Sequence, residues 1–286
     1  MIRIIDTYSQ IESLFEDGHF SMEKWEAYMN ALYDRSADIF KEDLKACLDH
    51  GSYDYEKDIL PVLNAVCGDP RLQTLHLAFC SITDGLNERI LERFGCELDV
   101  DIVLYMGLCN AAGWVTTING RDVVLLGIEK ILELNWCDVS SMYGLVYHEL
   151  GHIYHKQYGL FHQRSDRSSR NFVWQLFTEG IAMVFEQVLV NDPNYYHQDT
   201  NGWLQWCEDH FGQIRADFHA DLPEMTRSNQ RYFGDWVSYH GKGDVGYYLG
   251  TRFVRQLGDQ YAFEQLISMN IDDLYQAYLA FAEAKA

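Results

Sequence analysis

Proline is scarce in this chain: Pro61, Pro70, Pro193 and Pro223 are the only four in 286 residues. So few helix breakers over that length favour helices over a strand-and-turn architecture. Positive charge is scarce as well. Lys and Arg number 22 against 43 Asp and Glu, a formal net charge of −21. Duplex binding rests on Lys and Arg neutralising phosphates, so this balance excludes a nucleic-acid binder. Long apolar runs are missing too, and no uninterrupted one could span a bilayer. The opening Met1-Ile2-Arg3-Ile4-Ile5-Asp6 lacks the apolar core and small-residue cleavage site of a leader. The expectation is a non-secreted, cytoplasmic protein with no membrane partner. The seven cysteines are scattered and form no C-x-x-C pair, which reads as reduced thiols and not as a zinc ribbon or thioredoxin-like site.

What is present is ordinary globular material, 48% hydrophobic and 23% charged. The length fits one large domain or two small ones. Apolar spacing predicts a helical first hundred residues. Ile11, Leu14 and Phe15 share a face. Trp25, Tyr28, Met29 and Leu32 recur at i, i+3, i+4, i+7, and a third amphipathic stretch covers 72–94 with Gly95 as its stop. The period then changes. Residues 101–108 and 114–118 are β-rich, Asn119-Gly120 is a tight-hairpin signal, and 122–126 supplies the return strand. This predicts a small antiparallel sheet, with 122–126 either an edge that pairs with an extended peptide or an internal strand. Helices are expected from there to the end, interrupted by polar loops at 162–171 and 191–202. The domain reading is a helical subdomain at 1–97 and a functional domain at 98–286, folded together as one compact unit.

The chemistry concentrates in Tyr147-His148-Glu149-Leu150-Gly151-His152, an H-E-x-x-H pattern. Asp138, Ser140 or Ser141 can cap the helix that carries it. Positions 148 and 152 differ by about 40° on the helical wheel, so both imidazoles project from one face. Two such histidines can hold one tetrahedral Zn²⁺, with Glu149 placed to reach a water on the metal and take its proton. The competing reading is a pair of hydrogen-bonded core histidines. A third ligand would decide. His155 lies too near on the same helix to complete a tetrahedron, and His162 falls by the exposed loop. Glu179 is the best candidate. It sits in Thr178-Glu179-Gly180-Ile181-Ala182 within a second apolar helix over 173–189, where Gly180 and Ala182 are small enough for close approach. Glu186 shares the face of Glu179 and could orient a histidine. For both glutamates a surface role is the alternative.

His-Glu-Leu-Gly-His followed by Thr-Glu-Gly-Ile-Ala resembles the gluzincin metallopeptidases, whose third zinc ligand is a Glu in a similar helix. The segment Gly246-Tyr247-Tyr248-Leu249-Gly250 resembles the Tyr-bearing helix of alanyl-aminopeptidase-type enzymes. The chain is also similar to small bacterial families of HExxH proteases. The resemblance implies Zn²⁺ held by His148, His152 and Glu179, with Tyr247, or Tyr248 in its place, donating to the oxyanion. It also implies a peptide or protein substrate. His240, just before that helix, could add a second donor or be a loop histidine without a role. The aminopeptidases' Gly-x-Met-Glu-Asn segment is absent, and Gly107 to Gly113 occupies about its place. Met183 stands four residues after Glu179, where thermolysin-like enzymes carry an Asp that supports the metal site.

The fold class expected is thus α+β, mostly helical, with a small antiparallel sheet next to a zincin active-site helix pair and an N-terminal helical subdomain. The expected function is a zinc metallopeptidase. Two alternatives stand beside it: a zinc hydrolase of non-peptide substrates, and a non-catalytic zinc-binding interaction protein. For the latter, Trp203, Trp206 and Phe211 would form a binding face, or else helix core. The oligomeric state is left open.

Overall fold

A computed structural model describes residues 1–49, 53–234 and 237–284. They group into two units, Met1–Glu149 and Leu150–Ala286. The first runs β1 (Arg3–Asp6), β2 (Phe15–Glu16), β3 (His19–Phe20), α1 (Met22–Leu32), α2 (Ser36–Asp49), α3 (Leu60–Ala65), α4 (Arg71–Thr83), α5 (Leu86–Phe94), β4 (Val100–Tyr105), β5 (Gly113–Ile118), β6 (Arg121–Gly127), α6 (Ile128–Leu134) and α7 (Val139–Tyr143). The second runs α8 (Glu149–Tyr158), α9 (Ser168–Val190), α10 (Trp203–Asp209), α11 (Phe211–Asp221), α12 (Val245–Gly258), α13 (Phe263–Leu266) and α14 (Ile271–Glu283).

The described residues are mostly helical with a small four-stranded sheet and a two-stranded hairpin, and the larger sheet is mixed and not antiparallel. β1 pairs parallel with β4, β4 parallel with β6, and only β5–β6 is antiparallel, giving the order β1-β4-β6-β5. The Asn119-Gly120 turn does form that hairpin, with both residues left-handed at φ 51° and 79°, as a type I′ turn requires. Residues 122–126 are internal, between β4 and β5, so the edge strands are β1 and β5. The four residues of β1 are too few to show a period, and their partner lies far along the chain.

The centre of the sheet explains its sequence. All six residues of β4 are buried, as expected of a strand with neighbours on both sides. Asp101 among them is ion-paired to Arg3 of β1 and Arg121 of β6, and accepts a hydrogen bond from Tyr33 Oη at 2.7 Å. Burial alone would raise its carboxyl, but these three donors hold it below the ordinary value. The first hundred residues are less purely helical than the spacing predicts. They contribute β1 and the β2–β3 hairpin, and Ile11 and Leu14 lie in a 3₁₀ turn. The 72–94 stretch is two helices, broken where Gly85 turns left-handed at φ 62°. Gly95 caps the second at φ 65°, as expected.

In the second unit α9 is the central helix, buried on several faces by Val173, Phe177, Ile181, Phe185 and Leu189. It is long and apolar enough to cross a membrane by length and composition, yet 72% of its most apolar window is buried inside the fold. Its polar interruptions are what kept any long apolar run out of the sequence. α12 crosses it backbone to backbone. A Cβ on Gly180 would lie 2.3 Å from the Gly250 carbonyl oxygen and 2.8 Å from Val254 Cγ2. Neither backbone can yield without separating the helices. Gly180→Ala should therefore destabilise by about 1–3 kcal/mol through overpacking. A thermal melt several degrees below wild type checks this, and an unchanged melt would show that the crossing can widen freely.

Candidate metal centre

The H-E-x-x-H helix begins at Asp138, whose carboxylate accepts from Ser141 N and Oγ, both at 3.0 Å. Helix runs without a break through residues 139–158, but not as a uniform α-helix. Residues Gly144–His148 form a π-turn between α7 and α8. Such turns widen the helix locally and recur at functional sites. His148 is the last residue of this turn and Glu149 the first of α8. Although the unit boundary follows Glu149, both are carried on the same helical rod as His152. The Tyr147 hydroxyl donates to the Ile82 carbonyl at 2.9 Å and fixes the rotation of the turn.

Close helix approach then brings in Glu179. A Cβ on Gly151 would meet Ala182 Cα at 2.6 Å, so α8 and α9 touch through their backbones. Ala182 does what its size suggested, whereas Gly180 serves the α9–α12 crossing instead. The result is a His152 Nε2 to Glu179 Oε2 separation of 3.4 Å, with both side chains mostly buried at 15% and 16% exposure. His148 precedes His152 by four residues on the same continuous helix. In a tetrahedral zinc site with bonds of 2.0–2.1 Å, neighbouring ligand atoms stand about 3.3 Å apart. The His152–Glu179 separation matches that spacing, and imidazole and carboxylate are donors that could hold a metal ion.

The sequence passed over His197, in the 191–202 loop. Glu186 is wholly buried, and its carboxylate accepts from His197 Nδ1 at 2.9 Å. The Gln198 amide donates to the other ring nitrogen at 2.7 Å. Glu186 thus orients a histidine, as its position on the Glu179 face suggested, and that histidine comes from a loop with no periodic signal. Tyr247 is half-buried in the first turn of α12, its ring 6.0 Å from that of His197. Tyr248 points elsewhere. It is 1% exposed, rings with Tyr196 and Trp203, and accepts from Arg252.

The remaining candidates separate cleanly. His240 is exposed on a turn at φ 49°, edge-on to Tyr239, and does not join the cluster. His162 is exposed in the loop before α9. His155 is fully buried among Phe161, Trp174 and Phe177. Desolvation there pushes its pKa down to about 3, helped by His152 and opposed by the Ile267 carbonyl. Trp203 belongs to the core, its indole donating to the Gly243 carbonyl at 2.8 Å. In the first unit, Gly107 N and Cys109 N donate to the buried Glu129 carboxylate at 2.8 and 2.9 Å. That bracing accounts for the shape of the 107–113 segment.

A cleft of about 460 Å³ borders the His–Glu cluster, lined in part by Phe161, His162, Gln163, Trp174, Gln175 and Thr178. Phe161 also packs against His152, ring centroids 5.6 Å apart, and Thr178 precedes Glu179. A larger cleft of about 640 Å³ beside α12 and α14 is lined largely by amides, Gln256, Gln260, Gln265, Asn270 and Gln276 among them. It holds no donor set for a metal, so size does not mark the chemistry here. Compared with family models, curated proteins and solved structures, the chain matches none. The functional reading rests on the residues themselves.

Proposed function

We propose that this chain is a zinc-dependent peptidase of gluzincin type, with His148, His152 and Glu179 as metal ligands and Glu149 as general base. The observation that carries the reading is the approach of His152 Nε2 to Glu179 Oε2 at 3.4 Å, on a helix that carries His148 four residues before His152. When bound, the ion lowers the pKa of a coordinated water to about 7 and polarises the carbonyl under attack. Glu149 takes the proton of the attacking water and returns it to the leaving amine. Tyr247 donates its hydroxyl to the developing oxyanion, the charge-stabilising contribution that is often the largest. Its helix passes Glu179 at the Gly180–Gly250 crossing. His197, held between Glu186 and Gln198, packs beside Tyr247 and so positions that ring. The cleft beside Phe161 and Trp174 receives a substrate side chain.

Metal analysis of protein purified without chelator tests the reading. About one zinc per chain should be lost on His152→Ala. A wild-type protein free of metal, or zinc unaffected by that substitution, overturns it. A panel of peptides and esters then separates peptidase from other hydrolase activity. Cleavage of esters alone would reassign the substrate while leaving the metal site intact.

A further inference from the structure

A second cluster of metal-ligating side chains lies wholly within the first unit, at Asp6, His76 and Cys80. We propose that these three residues form a separate binding site for a thiophilic divalent cation such as Zn²⁺, with water completing the shell.

The local fold builds the cluster. His76 and Cys80 are four residues apart on α4, so their side chains emerge one above the other on one face. Asp6 is the last residue of β1, and its carboxylate is already oriented. Oδ1 accepts the Tyr8 backbone N–H at 2.9 Å, which leaves Oδ2 aimed at α4. Oδ2 lies 2.7 Å from His76 Nδ1 and 3.8 Å from Cys80 Sγ, and Sγ lies 3.8 Å from Nδ1. Tyr8 stacks on the His76 ring at 4.2 Å between centroids and 13° between planes, holding the imidazole in place.

These distances suit a metal. With zinc–nitrogen and zinc–oxygen bonds near 2.05 Å and zinc–sulfur near 2.3 Å, tetrahedral geometry sets sulfur about 3.6 Å from the lighter donors and those about 3.3 Å from each other. The two sulfur distances are within a few tenths of an ångström of that. The short nitrogen–oxygen distance is a hydrogen bond whose proton the ion would replace, with the carboxylate moving by about half an ångström. One imidazole, one thiolate and one carboxylate is a donor set that favours zinc over calcium or magnesium. The side chains of Asp6 and His76 are 22% and 28% exposed and Cys80 is exposed, so an ion can enter.

A nucleophilic Cys-His-Asp arrangement is the rival reading of the same residues. It requires the thiol on the lone-pair axis of Nε2. Sγ is instead nearly equidistant from the two ring nitrogens, 3.8 Å from Nδ1 and 3.9 Å from Nε2, which places it off both axes. A bound ion would join the end of β1 to α4, and so brace the sheet's β1 edge. This inference does not rest on the proposed peptidase site, which contains no cysteine.

Cobalt(II) titration of the reduced full-length protein tests it. A thiolate-to-cobalt charge-transfer band should appear in the wild type and persist in His152→Ala, which lacks a ligand of the other site. The band should vanish in Cys80→Ser and weaken in His76→Ala and Asp6→Asn. Circular dichroism would show that the exposed Cys80→Ser substitution leaves the fold intact. Absence of the band in wild type, or a band unchanged in Cys80→Ser, overturns the site. Failure of the peptidase reading would appear differently, as a His152→Ala protein that binds as much zinc as wild type.

Discussion

Replacing Glu149 by Gln is expected to leave the metal in place and to slow hydrolysis by on the order of 10²–10⁴-fold, the usual contribution of a positioned general base. The side chain is half-buried at the first position of α8, beside His148 and not among the metal-ligating group. Gln has the same shape, so the helix, its contacts and the ligands should be undisturbed. What it lacks is the ability to accept a proton at neutral pH. Zinc content and turnover of a fluorogenic peptide, measured on the same preparation, separate the two effects. Loss of zinc together with activity would make Glu149 a ligand or a structural group. Full activity with zinc retained would place the base elsewhere.

The second large effect is acid sensitivity arising from His155. Its imidazole is fully buried among Phe161, Trp174 and Phe177, and burial lowers its pKa to about 3. An unfolded chain would protonate it near 6.5. Between those values the unfolded state binds a proton that the folded state refuses. Stability is therefore fully present above pH 6.5 and falls as pH drops towards 3. At pH 5 the loss from this group alone is roughly 2 kcal/mol, and over the whole interval roughly 5 kcal/mol. His155→Phe should fill the same aromatic box and remove this part of the acid dependence. Urea midpoints at pH 7.5 and pH 5, taken with chelator so that metal release does not contribute, give the comparison. An equal loss in the wild type and the variant would show that His155 is not the titrating group.

The parts of the candidate site that were legible in the sequence are those set by short-range geometry. Four-residue spacing on a helix puts His148 and His152 on one side regardless of what surrounds them. Asp138 caps because its carboxylate reaches Ser141 three residues on. Asn119-Gly120 turns because both residues tolerate positive φ. Glu179 was legible for a different reason: small neighbours at Gly180 and Ala182 signal a close helix contact, although only Ala182 makes it with α8. His197 was not legible, because a loop histidine carries no periodic mark and its partner Glu186 could equally have faced solvent.

The sequence by itself determined the helical character, the β5–β6 hairpin and the helix that carries His148, Glu149 and His152, since each depends on residues within a few positions of one another. Tertiary structure alone decided that the sheet is mixed, that 122–126 is internal and that Gly144–His148 winds as a π-turn. It also decided which of two adjacent tyrosines stands beside His197 and that Asp6 meets His76 and Cys80. Those outcomes depend on which distant backbones approach closely enough to exclude a side chain, as at Gly151–Ala182 and Gly180–Gly250. No local propensity encodes such a pairing, because its free energy comes from surfaces that meet only once the chain has folded.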